Sequence, residues 1–151
     1  MTSRDFALTA LAALAAGSLV SANAGAQAIE GKFRGTYVCE KLPTTRDILR
    51  VPLDLIIADG SVHFARPLFN VNGTRVVGSE LGSGTVDSDG RVHLTSEWSY
   101  LGNTAHGDYS GTLAATGGTL MGTQTWRGPD GTAPLSRTCT AALVRAPAAA
   151  R

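Results

Sequence analysis

Leu135-Ser136-Arg137-Thr138-Cys139-Thr140-Ala141-Ala142-Leu143 alternates strictly, with Leu135, Arg137, Cys139, Ala141 and Leu143 on one side. A period of two is that of a β-strand with one buried face. The same test near the start of the chain puts Phe33, Gly35, Tyr37 and Cys39 on one face of another strand. The only cysteines, Cys39 and Cys139, therefore lie on the apolar faces of the first and last strands. An even cysteine count in an exported chain predicts a disulfide. It would close a loop of about 100 residues, for which the chain-entropy model gives roughly 4–5 kcal/mol. First and last strands are neighbours only if the sheet closes on itself. A Cys39–Cys139 bond and a closed barrel thus imply each other. The alternation also permits a two-sheet β-sandwich, which is the alternative fold.

Between the cysteines the chain shows no helical period. Asp59-Gly60, Asn72-Gly73 and Asp89-Gly90 separate β-rich runs and favour the positive φ of tight hairpins. Gly117-Gly118 and Gly128-Pro129-Asp130-Gly131 punctuate later runs. The reading is all-β, with eight strands over about 32–41, 50–58, 61–71, 74–87, 90–100, 106–115, 119–127 and 134–145. Apolar faces recur at Val51, Leu53, Leu55 and Ile57, at Val92, Leu94, Ser96 and Trp98, and at Leu120, Gly122, Gln124 and Trp126. Hairpin-linked strands of this kind predict an eight-stranded antiparallel up-and-down β-barrel, closed to hide its edges.

Outside the barrel, residues 1–26 read as a signal peptide: Arg4, an apolar run over Phe6–Ala16, then small residues ending in Ala24-Gly25-Ala26. A short spacer covers 27–31, the barrel domain 32–145 and a C-terminal tail 146–151. Export to the periplasm or the extracellular space is the expectation. A net charge of +1 without a basic cluster excludes an electrostatically driven nucleic-acid binder. No apolar run suits a mature transmembrane helix. Outward Arg34, Thr36 and Glu40, and Arg91, His93, Thr95 and Glu97, disfavour a lipid-facing barrel. Neither cysteine has a second ligand at metal spacing, so no metal or cofactor is assigned. Asp87-Ser88-Asp89-Gly90 resembles the start of a calcium loop but lacks the downstream glutamate, and reads as a hairpin turn. His63 and His93 alternate with apolar residues and are expected to face solvent, and no catalytic residue is nominated.

In a meander, the connections Leu42–Asp47, Leu101–Ala105 and Gly128–Ala133 share one end, the open end. By parity, Tyr37, Arg66, Trp98, Tyr109, Trp126 and Arg137 point inward there, with Gln124 on the same face as Trp126. These seven are the candidate ligand-binding residues. The competing reading is that the rings plug a filled core while the arginines reach water. Glu80 and Glu97 are single carboxylates without an identifiable partner for acid–base work, and Asp54, Glu97 and Asp108 fall on the opposite parity from the arginines. An acidic ligand with an apolar body would therefore satisfy Arg66 and Arg137.

Gly35-Thr36-Tyr37, Trp98, Tyr109-Ser110-Gly111 and Thr123-Gln124-Thr125-Trp126 are spaced as in avidin-type barrels, which the chain resembles. More loosely it resembles the wider lipocalin-like superfamily. The resemblance implies an eight-stranded barrel and a small hydrophobic or aromatic ligand. Cys39-Glu40-Lys41 replaces the polar signature that avidins carry after their first strand, and no tryptophan follows Trp126. Biotin recognition is thus not implied. Three functions follow: a small-ligand binding barrel, a protein-interaction module such as a hydrolase inhibitor acting through the open-end loops, or a structural envelope protein with a filled core. An empty pocket beneath Trp98 and Trp126 would favour the first, and a filled interior the other two.

Overall fold

Period-two alternation becomes wall and filling in the computed structural model, which describes residues 29–42, 48–69, 74–131 and 133–147. The expected signal segment, the Asn72-Gly73 turn, most of the Leu42–Asp47 connection and the end of the tail lie outside the described residues. Eight strands form: β1 (Gly31–Cys39), β2 (Leu49–Ala58), β3 (Ser61–Phe69), β4 (Val76–Val86), β5 (Arg91–Tyr100), β6 (Asn103–Ala114), β7 (Gly117–Arg127) and β8 (Leu135–Arg145). Each pairs antiparallel with the next, and β8 returns to β1, giving a closed barrel. The sandwich alternative is therefore excluded. Cys39 and Cys139 are direct cross-strand partners, and the disulfide joins them.

The turns follow from local chemistry. Asp59 and Gly60 both take positive φ, 51° and 72°, as a two-residue hairpin turn requires. Asp87-Ser88-Asp89-Gly90 is a hairpin turn, in which Asp87 Oδ1 accepts hydrogen bonds from the Asp89 and Arg91 amides. The expected long connection Leu101–Ala105 is corrected: Leu101 and Gly102 alone make a two-residue turn, at φ 48° and 76°, and β6 begins at Asn103. A leucine in the left-handed region gives no turn signal in sequence. The Asn103 side chain donates to the Tyr100 and Leu101 carbonyls and holds that turn.

One ladder is incomplete for a reason written in the chain. β2 and β3 pair only through Ala58–Ser61, Ile57–Val62 and Ile56–His63. Continuing that register would set Pro52 opposite Pro67. Ala58 and Ser61 flank a two-residue turn and so exchange hydrogen bonds, and Pro52 and Pro67 share their parity. Both prolines would thus turn a nitrogen without hydrogen toward the other strand, and no rung can form. On its other side, β4 pairs with β5 only from Leu81–Glu97 downward, whereas β3 and β4 pair as far as Phe69–Val76. At the open end the β3–β4 hairpin is therefore not laddered to either neighbour.

The lower barrel is apolar, filled by Phe33, Leu55, Ile57, Val62, Leu113 and Leu143, each 3% exposed or less. Burial of such side chains contributes roughly 1.5–3 kcal/mol apiece. The outer wall is polar and carries cross-strand pairs such as Arg34–Asp54 and His93–Asp108. At their exposure these are worth well under about 1 kcal/mol each. No helix among the described residues is long and apolar enough to cross a membrane.

Candidate functional site

Above the apolar half lies a layer of buried polar side chains. Arg66 on β3 and Glu80 on β4 are opposite each other in the ladder, both inward and buried, and form an ion pair. Ser96 on β5 donates a hydrogen bond of 2.7 Å to Glu80 Oε1. The Tyr109 hydroxyl on β6 shares a hydrogen bond with Ser96 and lies 2.5 Å from the Tyr37 hydroxyl on β1. The Tyr37 ring in turn carries the Arg66 guanidinium 5.2 Å from its centroid. The chain of contacts closes on itself. It links the β3–β4 hairpin to β5 through Glu80–Ser96 and to β1 through Arg66–Tyr37, the side where β2 gives no rungs. Side chains thus supply inside the barrel the connections that the backbone lacks in its wall.

Glycine makes this layer possible at Gly107. A Cβ there would stand 2.3 Å from the Tyr109 hydroxyl and 2.5 Å from Ser96 Oγ. The bare backbone is what lets the two hydroxyls meet.

The second part of the layer belongs to β7 and β8. Gln124 and Arg137 are cross-strand partners, and Gln124 Oε1 accepts two hydrogen bonds from Arg137, at 2.9 and 2.5 Å. Arg66 Nε and Gln124 Nε2 are buried without a hydrogen-bond partner among the described residues. Glu80 Oε2 meets Arg66 as an ion pair, outside hydrogen-bond geometry.

Degrees of burial separate the seven candidate residues. Tyr37, Arg66, Tyr109 and Gln124 are buried, while Trp98, Trp126 and Arg137 are half-buried nearer the rim. Beneath the layer lies a cavity of about 10 Å³, lined by Tyr37, Leu53, Phe64, Arg66, Leu94 and Tyr109 among others. It is the size of about one water molecule. One sequence-based expectation is corrected here: Arg66 meets Glu80, a carboxylate not weighed as its partner, and neither reaches the rim nor waits for an acid.

Sequence reasoning also missed a larger hollow, on the outside of the wall. A groove of about 740 Å³ is lined by Leu81 on β4, Glu97, Trp98 and Ser99 on β5, Thr104 and His106 on β6, and Thr125 and Arg127 on β7, among others. Leu81, Glu97, His106 and Thr125 are successive cross-strand partners, a row visible only once register is known. Leu81 is 61% exposed. The groove lies where β4 and β5 lose their ladder. Among the described residues no cluster of three or more histidine, cysteine or acidic side chains could hold a metal ion.

Burial pushes the Tyr37 phenol far above its ordinary range, helped by the neighbouring Tyr109 and Glu80. Burial raises Tyr109 as well. In the unfolded chain these phenols ionise near pH 10. Because the folded values are raised, their contribution to stability is complete below about pH 10 and lost as pH climbs beyond it. The expected result in an alkaline titration is that phenolate absorbance from Tyr37 and Tyr109 appears together with loss of the β circular-dichroism signal. Ionisation of these two phenols while that signal persists would contradict their place in a closed layer.

No protein-family model, curated protein or solved structure matches the chain.

Proposed function

We propose that this chain is an exported binding module that recognises a protein partner on the outside of the barrel, at the groove beside the open end. The observation that carries this reading is the contrast between about 10 Å³ inside the lumen and about 740 Å³ in the outer groove. A space the size of one water molecule admits no drug-sized ligand, whereas several hundred Å³ is in the range of recognition sites. The groove offers an exposed leucine and a tryptophan beside charges of both signs, a mixture that suits a polypeptide surface. The Cys39–Cys139 bond fits an oxidising compartment, periplasmic or extracellular in this reading.

The test compares two equally exposed apolar residues. Leu81 lines the groove at 61% exposure, and Met121 lies on the outer face of β7, outside the groove's lining, at 57%. Leu81→Asp is expected to abolish association with the partner recovered from the producing cell's envelope, and Met121→Asp to leave it intact. Dodecanoate, a small apolar probe, is expected to cause no saturable shift in the methyl resonances of Leu94 and Leu120, which line the small cavity. Saturable dodecanoate binding at those methyls, or equal loss of the partner in both variants, would overturn the reading.

A further inference from the structure

We propose that Trp98 and Trp126, with the Arg137–Gln124 pair beneath them, form a carboxylate-binding site at the open end of the barrel, separate from the groove reading. Trp98, Ala105, Trp126 and Leu135 are successive cross-strand partners on β5 to β8. The small Ala105 thus stands between two half-buried indoles at the rim. Two residues further down each strand, about 6.7 Å deeper, the next inward row is Ser96, Gly107, Gln124 and Arg137.

Charge and hydrogen bonding in that row are both incomplete. Two guanidiniums, Arg66 and Arg137, share the layer with one buried carboxylate, Glu80, and Glu80 is engaged by Arg66. Among the described residues Arg137 meets a neutral acceptor, Gln124 Oε1. That contact commits the amide oxygen of Gln124 and leaves its Nε2 buried, with no acceptor among the described residues, on a side chain 2% exposed. Burial draws Arg137 below the ordinary arginine value, and the like charge of Arg66 adds to it. A carboxylate answers both deficits. Its oxygens accept from the N–H groups that Arg137 has left and from Gln124 Nε2, and the cation gains a counter-ion where charge-assisted bonds are strong. A flat apolar body attached to that carboxylate lies against the indoles. Glu97 and Asp108 face outward and do not compete for this position. A free aryl carboxylic acid and an acidic group of a polypeptide share this chemistry.

Both tryptophans of the chain belong to the site, and Trp98 also lines the groove, so intrinsic fluorescence is read beside a groove variant. The probes are 3-phenylpropanoate with its methyl ester, and acetyl-Gly-Gly-Phe with a free or an amidated C terminus. At least one acid is expected to give a saturable fluorescence change, and whichever acid binds more tightly identifies the source, small molecule or polypeptide. Arg137→Gln is expected to weaken that acid at least about tenfold and leave its neutral counterpart unchanged. Arg137→Lys, which keeps the cation in the fold, is expected to retain part of the affinity. Leu81→Asp is expected to leave the response as it is, which separates this site from the groove. The proposal is overturned if neither acid gives a saturable change, if acid and neutral counterpart bind wild type equally, or if both Arg137 variants bind the acid as wild type does.

Discussion

Glu80→Gln is expected to lower the stability of the barrel by about 3–5 kcal/mol, the cost of leaving a buried charge without its partner. Glu80 is 0% exposed and Arg66 7%, so water cannot replace the lost carboxylate without entering the lumen. The amide also disturbs the Ser96 contact, and with it the link between the β3–β4 hairpin and β5. A structural layer makes a second demand. The double variant Arg66→Met/Glu80→Met, which removes both charges, is expected to recover most of the loss, because the desolvation cost disappears with the ion pair. Denaturant unfolding of the wild type, Arg66→Met, Glu80→Met and the double variant forms the cycle that measures this. Additive losses in the double variant would show that the two side chains do not act as a pair. Amide exchange supplies an independent readout. In Glu80→Gln the hairpin residues Gly78, Ser79 and Ala65 should lose protection before Phe33 or Leu55, because only the upper β3–β4 hairpin depends on side chains for its attachment.

Opening the disulfide has an effect of similar size by a different route. Cys39→Ser is expected to cost roughly 2–5 kcal/mol. The bond joins residues separated by 100 positions, so its removal frees most of the domain in the unfolded chain. Because the change acts largely on the unfolded state, the denaturant slope should rise along with the fall in midpoint, as a less constrained chain exposes more surface. Native β1–β8 pairing, from Phe33–Arg145 to Cys39–Cys139, should survive as a ladder, so the variant is expected to fold at low temperature. Thiol titration of native wild-type protein purified without reductant should find no free thiol. Two reactive thiols would remove the bond from the account.

The barrel was legible because its two decisive signals are local. Side-chain alternation has a period of two whatever the partner strand is, so Phe33, Tyr37, Leu94, Tyr109, Leu120 and Gln124 could be assigned to the interior from sequence. The positions of Cys39 and Cys139 on those faces then required closure. What failed was everything that depends on register. A two-residue turn at Asn72-Gly73 would continue into β3 and β4 with Phe69 opposite Val76, which is observed, and Arg66 opposite Ser79, which is not. The register shifts by one residue between Leu68 and Phe69, and Arg66 faces Glu80 instead. A slip of one residue moves every later side chain of a strand to the other face. Glu80 therefore points into the barrel, where it is 0% exposed. The groove was hidden for the same reason, since Leu81, Glu97, His106 and Thr125 lie on four strands and meet only through their pairing. Alternation within each strand, the turn dipeptides and the cysteine placement determined an eight-stranded closed barrel from the sequence alone. Only the tertiary structure decided that its arginines meet Glu80 and Gln124, because a bulge and a cross-strand partner are properties of two segments at once.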